Sequence, residues 1–489
     1  MKKIIISIVA AAVCFTSCRD WLDINTNPNE PSEVDNNLLI PSVQAVLAGN
    51  YGGTLFNMSG FFAQYTDQAP EANQYNILAE YSFINTLFNT PYSVLYSGAL
   101  MDAKIIQEQA TAKEEWGDYF VATVLRAYIY QVLVDYLDQA PYSEALLGND
   151  NPMPKWDSGE SIYNGILSEL DEAEAKLNSA SKVSADLILG KDITKWVQFA
   201  NALRLRILMR ASYAQDNSAK ISALVRENNF FSGDIKMAVF SDESSRRNPW
   251  YETNRVVLSA TNHVGSYPIV SYLKATDDPR ISDIFKRATG SNTYEGMLPG
   301  SKTVLSASRN STYSFLVAYD RPTAPVYFFT QSELQFFISE AYVRFLNDDA
   351  KAKEAYEAAI RANFATTRGL SDDPAVIFGD GAPSAWSTAT TQDGKLKLIG
   401  MQKWVALCYV NNVEAWAEVR RMNYPVLSSN TASEINSNSN AYTAGELISP
   451  WVNSEGDMVR RIYFPLTAVN LNDNTPAQVK RSAPVWWDK

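Results

Sequence analysis

Residues 330–364 read TQSELQFFISEAYVRFLNDDAKAKEAYEAAIRANF, and this stretch decides the fold. Leu334, Phe337, Ile338, Ala341, Tyr342 and Phe345 recur at three- and four-residue spacing and make a wide apolar stripe on one face of a helix. Thr330, followed three residues later by Glu333, has the pattern of a capping box at its start. The Asn347-Asp348-Asp349 turn ends it. Ala355, Tyr356, Ala359 and Ile360 then form a second stripe on a helix ending near Phe364, and the small alanines let the two helices approach closely. The pair has about the length of one tetratricopeptide repeat, the helix-turn-helix unit of a solenoid.

Working outward, similar helical patterns recur at 119–137, 157–178, 194–213 and 401–422. Asp157 with Glu160 is a candidate capping box ahead of Ile162, Ile166, Leu170, Ala173 and Leu177. Trp196, Phe199, Leu203 and Ile207 mark another apolar face. No strict period joins these segments, so the expected fold is mainly α: a degenerate tetratricopeptide-like helix-turn-helix scaffold with long irregular loops. Stretches rich in Ser, Thr, Asn, Gly and Pro at 241–262, 289–325 and 369–394 read as those loops. Loops of such length on a compact scaffold are usually functional, which makes them the expected binding surface.

At the other end of the chain, Lys2 and Lys3 precede an apolar run from Ile4 to Phe15, closed by the small Thr16 and Ser17 ahead of Cys18. A bilayer span needs about 20 apolar residues, and this run is too short; it reads as a signal peptide. Phe15-Thr16-Ser17-Cys18 resembles a bacterial lipobox, with Phe15 where leucine is usual. The expectation is cleavage after residue 17, lipid on Cys18, a flexible tether over 18–30 and a single domain over 31–489. Cleavage removes Cys14, so Cys408 is left without a disulfide partner, and the apolar Trp404-Val405-Ala406-Leu407 before it marks an inert core thiol.

The net charge of −12, made two units more negative by loss of Lys2 and Lys3, disfavours nucleic acid as a partner. One histidine, His263, limits nucleophilic and zinc chemistry to a single imidazole; it reads as an ordinary loop residue. Neither Gly52-Gly53 nor Gly394-Lys395 has the flanking residues of a phosphate loop. A pair of glycosidase carboxylates is not marked by any pattern in the sequence.

Several further segments carry a family likeness. They are Cys18-Arg19-Asp20-Trp21-Leu22-Asp23 with Asn27-Pro28-Asn29, then Pro141-Tyr142-Ser143-Glu144-Ala145, then Lys195-Trp196 running through Phe199-Ala200-Asn201-Ala202-Leu203-Arg204-Leu205-Arg206. Glu333-Leu334 through Glu340-Ala341-Tyr342, Gln402-Lys403-Trp404, Glu414-Ala415-Trp416-Ala417-Glu418-Val419-Arg420-Arg421 and Arg461-Ile462-Tyr463-Phe464-Pro465 complete the pattern. Together they resemble the SusD/RagB-like nutrient-binding lipoproteins of the Bacteroidetes. At Asp138-Gln139-Ala140 the chain lacks the glycine turn more common in that family.

The resemblance implies a non-catalytic, lipid-anchored protein exposed at the outer-membrane surface; no cofactor is expected and no residues are marked as metal ligands. It would capture oligosaccharides, or peptides as in one branch of the family, and cover a SusC-like TonB-dependent transporter. A helical-repeat scaffold without a small ligand is the alternative. Sugar binding needs flat aromatic faces beside planar polar groups. Trp196, Trp404 and Trp416 lie on helix stripes and are expected in the core. The expected ligand contacts are Trp250, Tyr251, Asn254 and Arg255, with Tyr75 and Asn73 on the segment resembling one that lines the family's binding face, and with Trp386 and Tyr313.

Overall fold

The computed structural model describes residues 34–305, 308–453 and 458–488. The expected signal peptide, the tether and Cys18 lie outside these residues. Ten helices carry the scaffold: α1 (Asn36–Asn50), α2 (Phe56–Phe62), α3 (Met101–Lys113), α4 (Trp116–Leu137), α5 (Gly159–Glu174), α6 (Ile193–Ala211), α7 (Gln331–Ala341), α8 (Asp349–Ala362), α9 (Gln392–Leu407) and α10 (Asn412–Met422). Successive pairs α3 with α4, α4 with α5, α7 with α8 and α9 with α10 pack on one another, the helix-turn-helix plan expected from residues 330–364. Short antiparallel pairs join distant parts of the chain: β1 (Thr66–Gln68) with β5 (His263–Gly265), β2 (Gln139–Ala140) with β3 (Asp157–Ser158), and β4 (Ile235–Met237) with β6 (Val326–Phe329).

The α4 helix is long and apolar enough to cross a bilayer, but almost all of it is buried inside the protein. Its apolar residues face neighbours on every side, which makes it the central core helix. Trp196, Trp404 and Trp416 are all in the core, as their helix stripes require, and each indole N–H finds an acceptor: Asp186 Oδ2 at 3.0 Å, the Ala63 carbonyl at 3.0 Å and the Val459 carbonyl at 2.9 Å. Cys408 is fully enclosed, and burial pushes its thiol well above the usual range, so it is inert.

Several local expectations are corrected. Thr330 does cap α7, accepting from Glu333 N at 3.0 Å. Glu333 does not return the bond, because its carboxylate is fully buried against Arg206. The cap of α5 is Ser158, which accepts from Ser161 N at 3.2 Å, one residue beyond the expected Asp157. The Asp157 carboxylate instead accepts from Tyr142 N and Ser143 N, tying down the 141–145 segment. The helical pattern at 401–422 is two helices, α9 and α10, broken at Cys408–Asn411, where Asn411 accepts from Glu414 N at 3.2 Å and starts α10. The 241–262 loop contains a short helix, Pro249–Tyr251, and a wide turn of π-helix, Glu252–Val257. His263 is not a loop residue: it lies in β5 with no exposed surface.

The charged residues of the family-like segments meet inside the scaffold. Arg206 on α6 bonds Glu333 on α7 at 2.6 Å, and Arg210 pairs with Asp135 on α4 and Glu414 on α10. Arg421 on α10 reaches Glu340 on α7 at 2.6 Å and Glu418 at 2.7 Å, while Lys403 on α9 bonds Glu418 at 2.8 Å. Every one of these side chains is at least 95% buried. Burial raises the Glu333 and Asp135 carboxyls in spite of their arginines, whereas at Glu340 and Glu418 burial is outweighed by Arg421, which holds both below the usual carboxylate range. The bonding fixes how five helices meet.

A candidate ligand cleft around Trp250

Three wide π-helical turns border one region of the surface. Tyr51–Leu55 lies between α1 and α2, Glu252–Val257 follows the short helix, and Asn363–Arg368 ends α8. Such turns widen a helix locally and recur at functional sites. Gly52 in the first of them lets the backbone come against β6; a Cβ there would stand 2.3 Å from Val326 Cγ2.

Between the first and third of these turns, with Asn248 and Trp250 on another side, opens a cleft of about 400 Å³, within the range of small-ligand sites. Its aromatic lining comes from Tyr51, Phe56, Trp250, Tyr327 and Tyr409, and its charged lining from Asp283, Asp320, Arg321 and Arg368. Asn248 holds two of its walls together. The Asn248 Oδ1 caps the short helix by accepting from Tyr251 N at 3.1 Å. The Asn248 N–H and Nδ2 donate to the carbonyls of Pro322 and Ala324 at 2.7 and 2.9 Å. The walls thus come from the 241–262 and 289–325 loops, while Thr367 and Arg368 border the third loop.

Trp250 is not displayed on a loop: it is 3% exposed, with its ring 5.8 Å from that of Tyr409 and 5.1 Å from that of Tyr319. Behind it runs a buried polar chain. Trp250 Nε1 donates to Asn57 Oδ1 at 3.1 Å, and His263 Nε2 lies 2.8 Å from the same oxygen. That oxygen can only accept, so His263 carries its proton on Nε2, and Nδ1 accepts from the Tyr319 hydroxyl at 2.6 Å. Burial pushes the His263 pKa down to about 3, so the imidazole is neutral. On the other side, Tyr75 donates its hydroxyl to Asn254 Oδ1 at 2.6 Å, and Asn254 Nδ2 donates to the Trp250 carbonyl at 2.9 Å. A second hollow of about 300 Å³ opens here, lined by Asn57, Gln74, Tyr75, Ile77, Leu87, Thr253 and Asn254.

Of the residues expected from sequence, the fold therefore joins Trp250, Asn254 and Tyr75 in one cluster. Tyr251 is half-buried beside them and Arg255 is exposed on the same turn. Asn73 is exposed on the neighbouring segment, where Lys302 donates to it. Tyr313 packs separately, on Ala69, Val264 and Met297. Trp386 anchors its loop in another core cluster, its ring 5.2 Å from Tyr356 and its N–H on Asp349 at 3.1 Å. Sequence reasoning missed Asn57, Tyr319, Tyr409, Asp283, Arg321 and Arg368. None carries a local signal, since the contacts that bring them here are remote: Arg321 and Arg368 meet Asp283 across 38 and 85 positions, Tyr319 and Asn57 meet His263 across 56 and 206, and Tyr409 meets Trp250. Among the described residues, no group of three or more His, Cys, Asp or Glu is placed to hold a metal.

Comparison with known proteins places this architecture. No curated protein sequence matches the chain. Solved structures do match in fold. A SusD/RagB family protein from Bacteroides thetaiotaomicron superposes with a TM-score of 0.74 at 20% identity, over 93% of this chain and 99% of the other. A SusD homologue from Bacteroides vulgatus gives 0.72 at 20% identity, over 92% and 97%. A chitin-binding SusD homologue from Flavobacterium johnsoniae gives 0.70 at 21% identity, over 93% and 96%. The family model described as starch-binding and associating with the outer membrane matches residues 28–443, which covers most of the sequence and both sides of the cleft, and the chain belongs to this SusD-like family.

Proposed function

We propose that this protein is a non-catalytic, lipid-anchored glycan-binding protein of the outer-membrane surface that hands oligosaccharides to a SusC-like TonB-dependent transporter. The observation that carries the reading is the cleft around Trp250, which sets aromatic side chains beside arginine, carboxylate and amide groups. Pyranose rings offer an apolar face to the first and hydroxyls to the second. The membership of a family described as starch-binding and the chitin-binding relative support it. Cys18, with lipid, would supply the anchor, and the tether at 18–30 would leave the domain free to swing over the transporter.

The non-catalytic part rests on membership of a family described as binding, and the one histidine adds no accessible base. Both its ring nitrogens are engaged, by Asn57 and Tyr319, and it has no exposed surface from which to reach a substrate. Titration calorimetry of the mature protein against a panel of oligosaccharides and peptides tests the reading. Saturable heat with a glycan, weakened in Tyr327→Ala without loss of fold, is the expected result. Heat with peptides alone, or sugar products released on long incubation, would overturn it.

A further inference from the structure

The charged groups of the cleft are not equally engaged. Asp283 lies between two arginines, its Oδ2 2.7 Å from Arg368 Nη1 and its Oδ1 2.5 Å from Arg321 Nη2. Burial alone would raise the Asp283 carboxyl, but Arg368 and then Arg321 outweigh it and hold the group below its usual range, so it remains an anion. Arg368 is 3% exposed and fully engaged, with Nε on Asn363 Oδ1 and Nη2 on the Cys408 carbonyl at 2.7 Å. Arg321 differs. Its side chain is 46% exposed, and among the described residues the bond to Asp283 is its single hydrogen bond, which leaves Nε and Nη1 as open donors at the cleft wall.

The remaining lining carboxylate, Asp320, is matched at the rim by Lys286. Asp234, which accepts from Thr367 of the wall at 3.3 Å, has its carboxyl pushed up by burial. The lining thus holds two arginines and two carboxylates, in a protein whose net charge is −12. A balanced cleft in so acidic a protein is not a product of overall composition, and cleft walls concentrate the field of its one half-engaged cation, Arg321, on whatever enters.

We propose that the cleft selects acidic glycans, taking the carboxylate of a uronic acid residue on the open donors of Arg321. The inference rests on the reading of this cleft as a glycan site. Asp283 keeps the guanidinium in place from one side, so its free edge faces the ligand pre-oriented. A planar guanidinium meets a carboxylate with parallel N–H bonds, and that match separates a uronate from the corresponding neutral sugar.

The test is calorimetry of the mature protein with matched pairs of oligosaccharides, each neutral and with its C6 hydroxymethyl groups oxidised to carboxylates. The expected result is at least about tenfold tighter binding of the oxidised member of a pair, a difference of about 1.4 kcal/mol. Arg321→Gln should abolish that preference and Arg321→Lys should reduce it, both still unfolding in one cooperative transition, while Arg246→Gln on the exposed 241–262 segment should retain it. Equal affinity for both members, or a preference that survives Arg321→Gln, overturns the inference and leaves the glycan reading standing. Absence of binding by every pair overturns both.

Discussion

Trp250 and His263 donate to one and the same oxygen, Asn57 Oδ1, at 3.1 and 2.8 Å, with their rings 5.2 Å apart. The indole beside the cleft is therefore held by a residue on α2, nearly two hundred positions away in the chain. Replacing Asn57 by Leu keeps the number and branching of the heavy atoms and removes the acceptor, leaving two buried donors unpaired. At 1–3 kcal/mol for each, the expected loss is about 3 kcal/mol, read from urea unfolding. Asn57→Asp keeps the acceptor and adds a charge beside the imidazole, and should raise the His263 pKa.

His263 makes its own pH prediction. Its folded pKa, about 3, lies far below the ordinary histidine value near 6.5. The unfolded chain takes up a proton that the folded chain refuses, so stability falls as pH drops through about 6.5 and continues to fall toward 3. Between pH 7 and pH 5 this amounts to about 2 kcal/mol. Unfolding of His263→Gln, measured over the same interval, should lack that slope. Because the protein has one histidine, a single imidazole resonance that does not titrate above pH 5 is the direct check.

Glu340 sits between Arg421 at 2.6 Å and Arg344 at 2.8 Å, with about 1% of its side chain exposed. Glu340→Ala would leave buried guanidinium charge uncompensated and should cost about 3–5 kcal/mol in denaturant unfolding. The comparison is Glu357 on α8, which pairs with the largely exposed Lys353 and Arg361. Glu357→Ala should cost below about 1 kcal/mol.

Cys18→Ala tests the anchor. Fractionation should find the variant released from the membrane, still able to bind ligand in calorimetry but unable to support uptake by cells. Unchanged membrane retention would remove the lipid from the proposal.

The helical scaffold was largely legible because its signals are local. The stripe from Leu334 to Phe345, the turn at Asn347 and the alanines of α8 each act within a few residues, and the structure keeps all of them. Legibility failed where a side chain had a better distant partner. Glu333 left the Thr330 capping box for Arg206, 127 positions away, and His263, in polar sequence, was drawn into a strand by Thr66–Gln68. Of the candidate site, the sequence singles out Trp250, Asn254 and Tyr75, which do lie together, yet their turn-rich surroundings suggest exposure where the fold buries Trp250 and Asn254.

By itself, then, the sequence determined the periodic apolar faces, the turns between helices, the tryptophans of the core and the inertness of Cys408. These follow from spacing and composition, which act before the chain is folded. The tertiary structure alone decided that Arg321 and Arg368 share Asp283, that five helices lock through buried ion pairs, and that Trp250 is held by Asn57. Those relations depend on groups brought within hydrogen-bonding distance from remote parts of the chain, and their energies become large only once packing has removed the water between them.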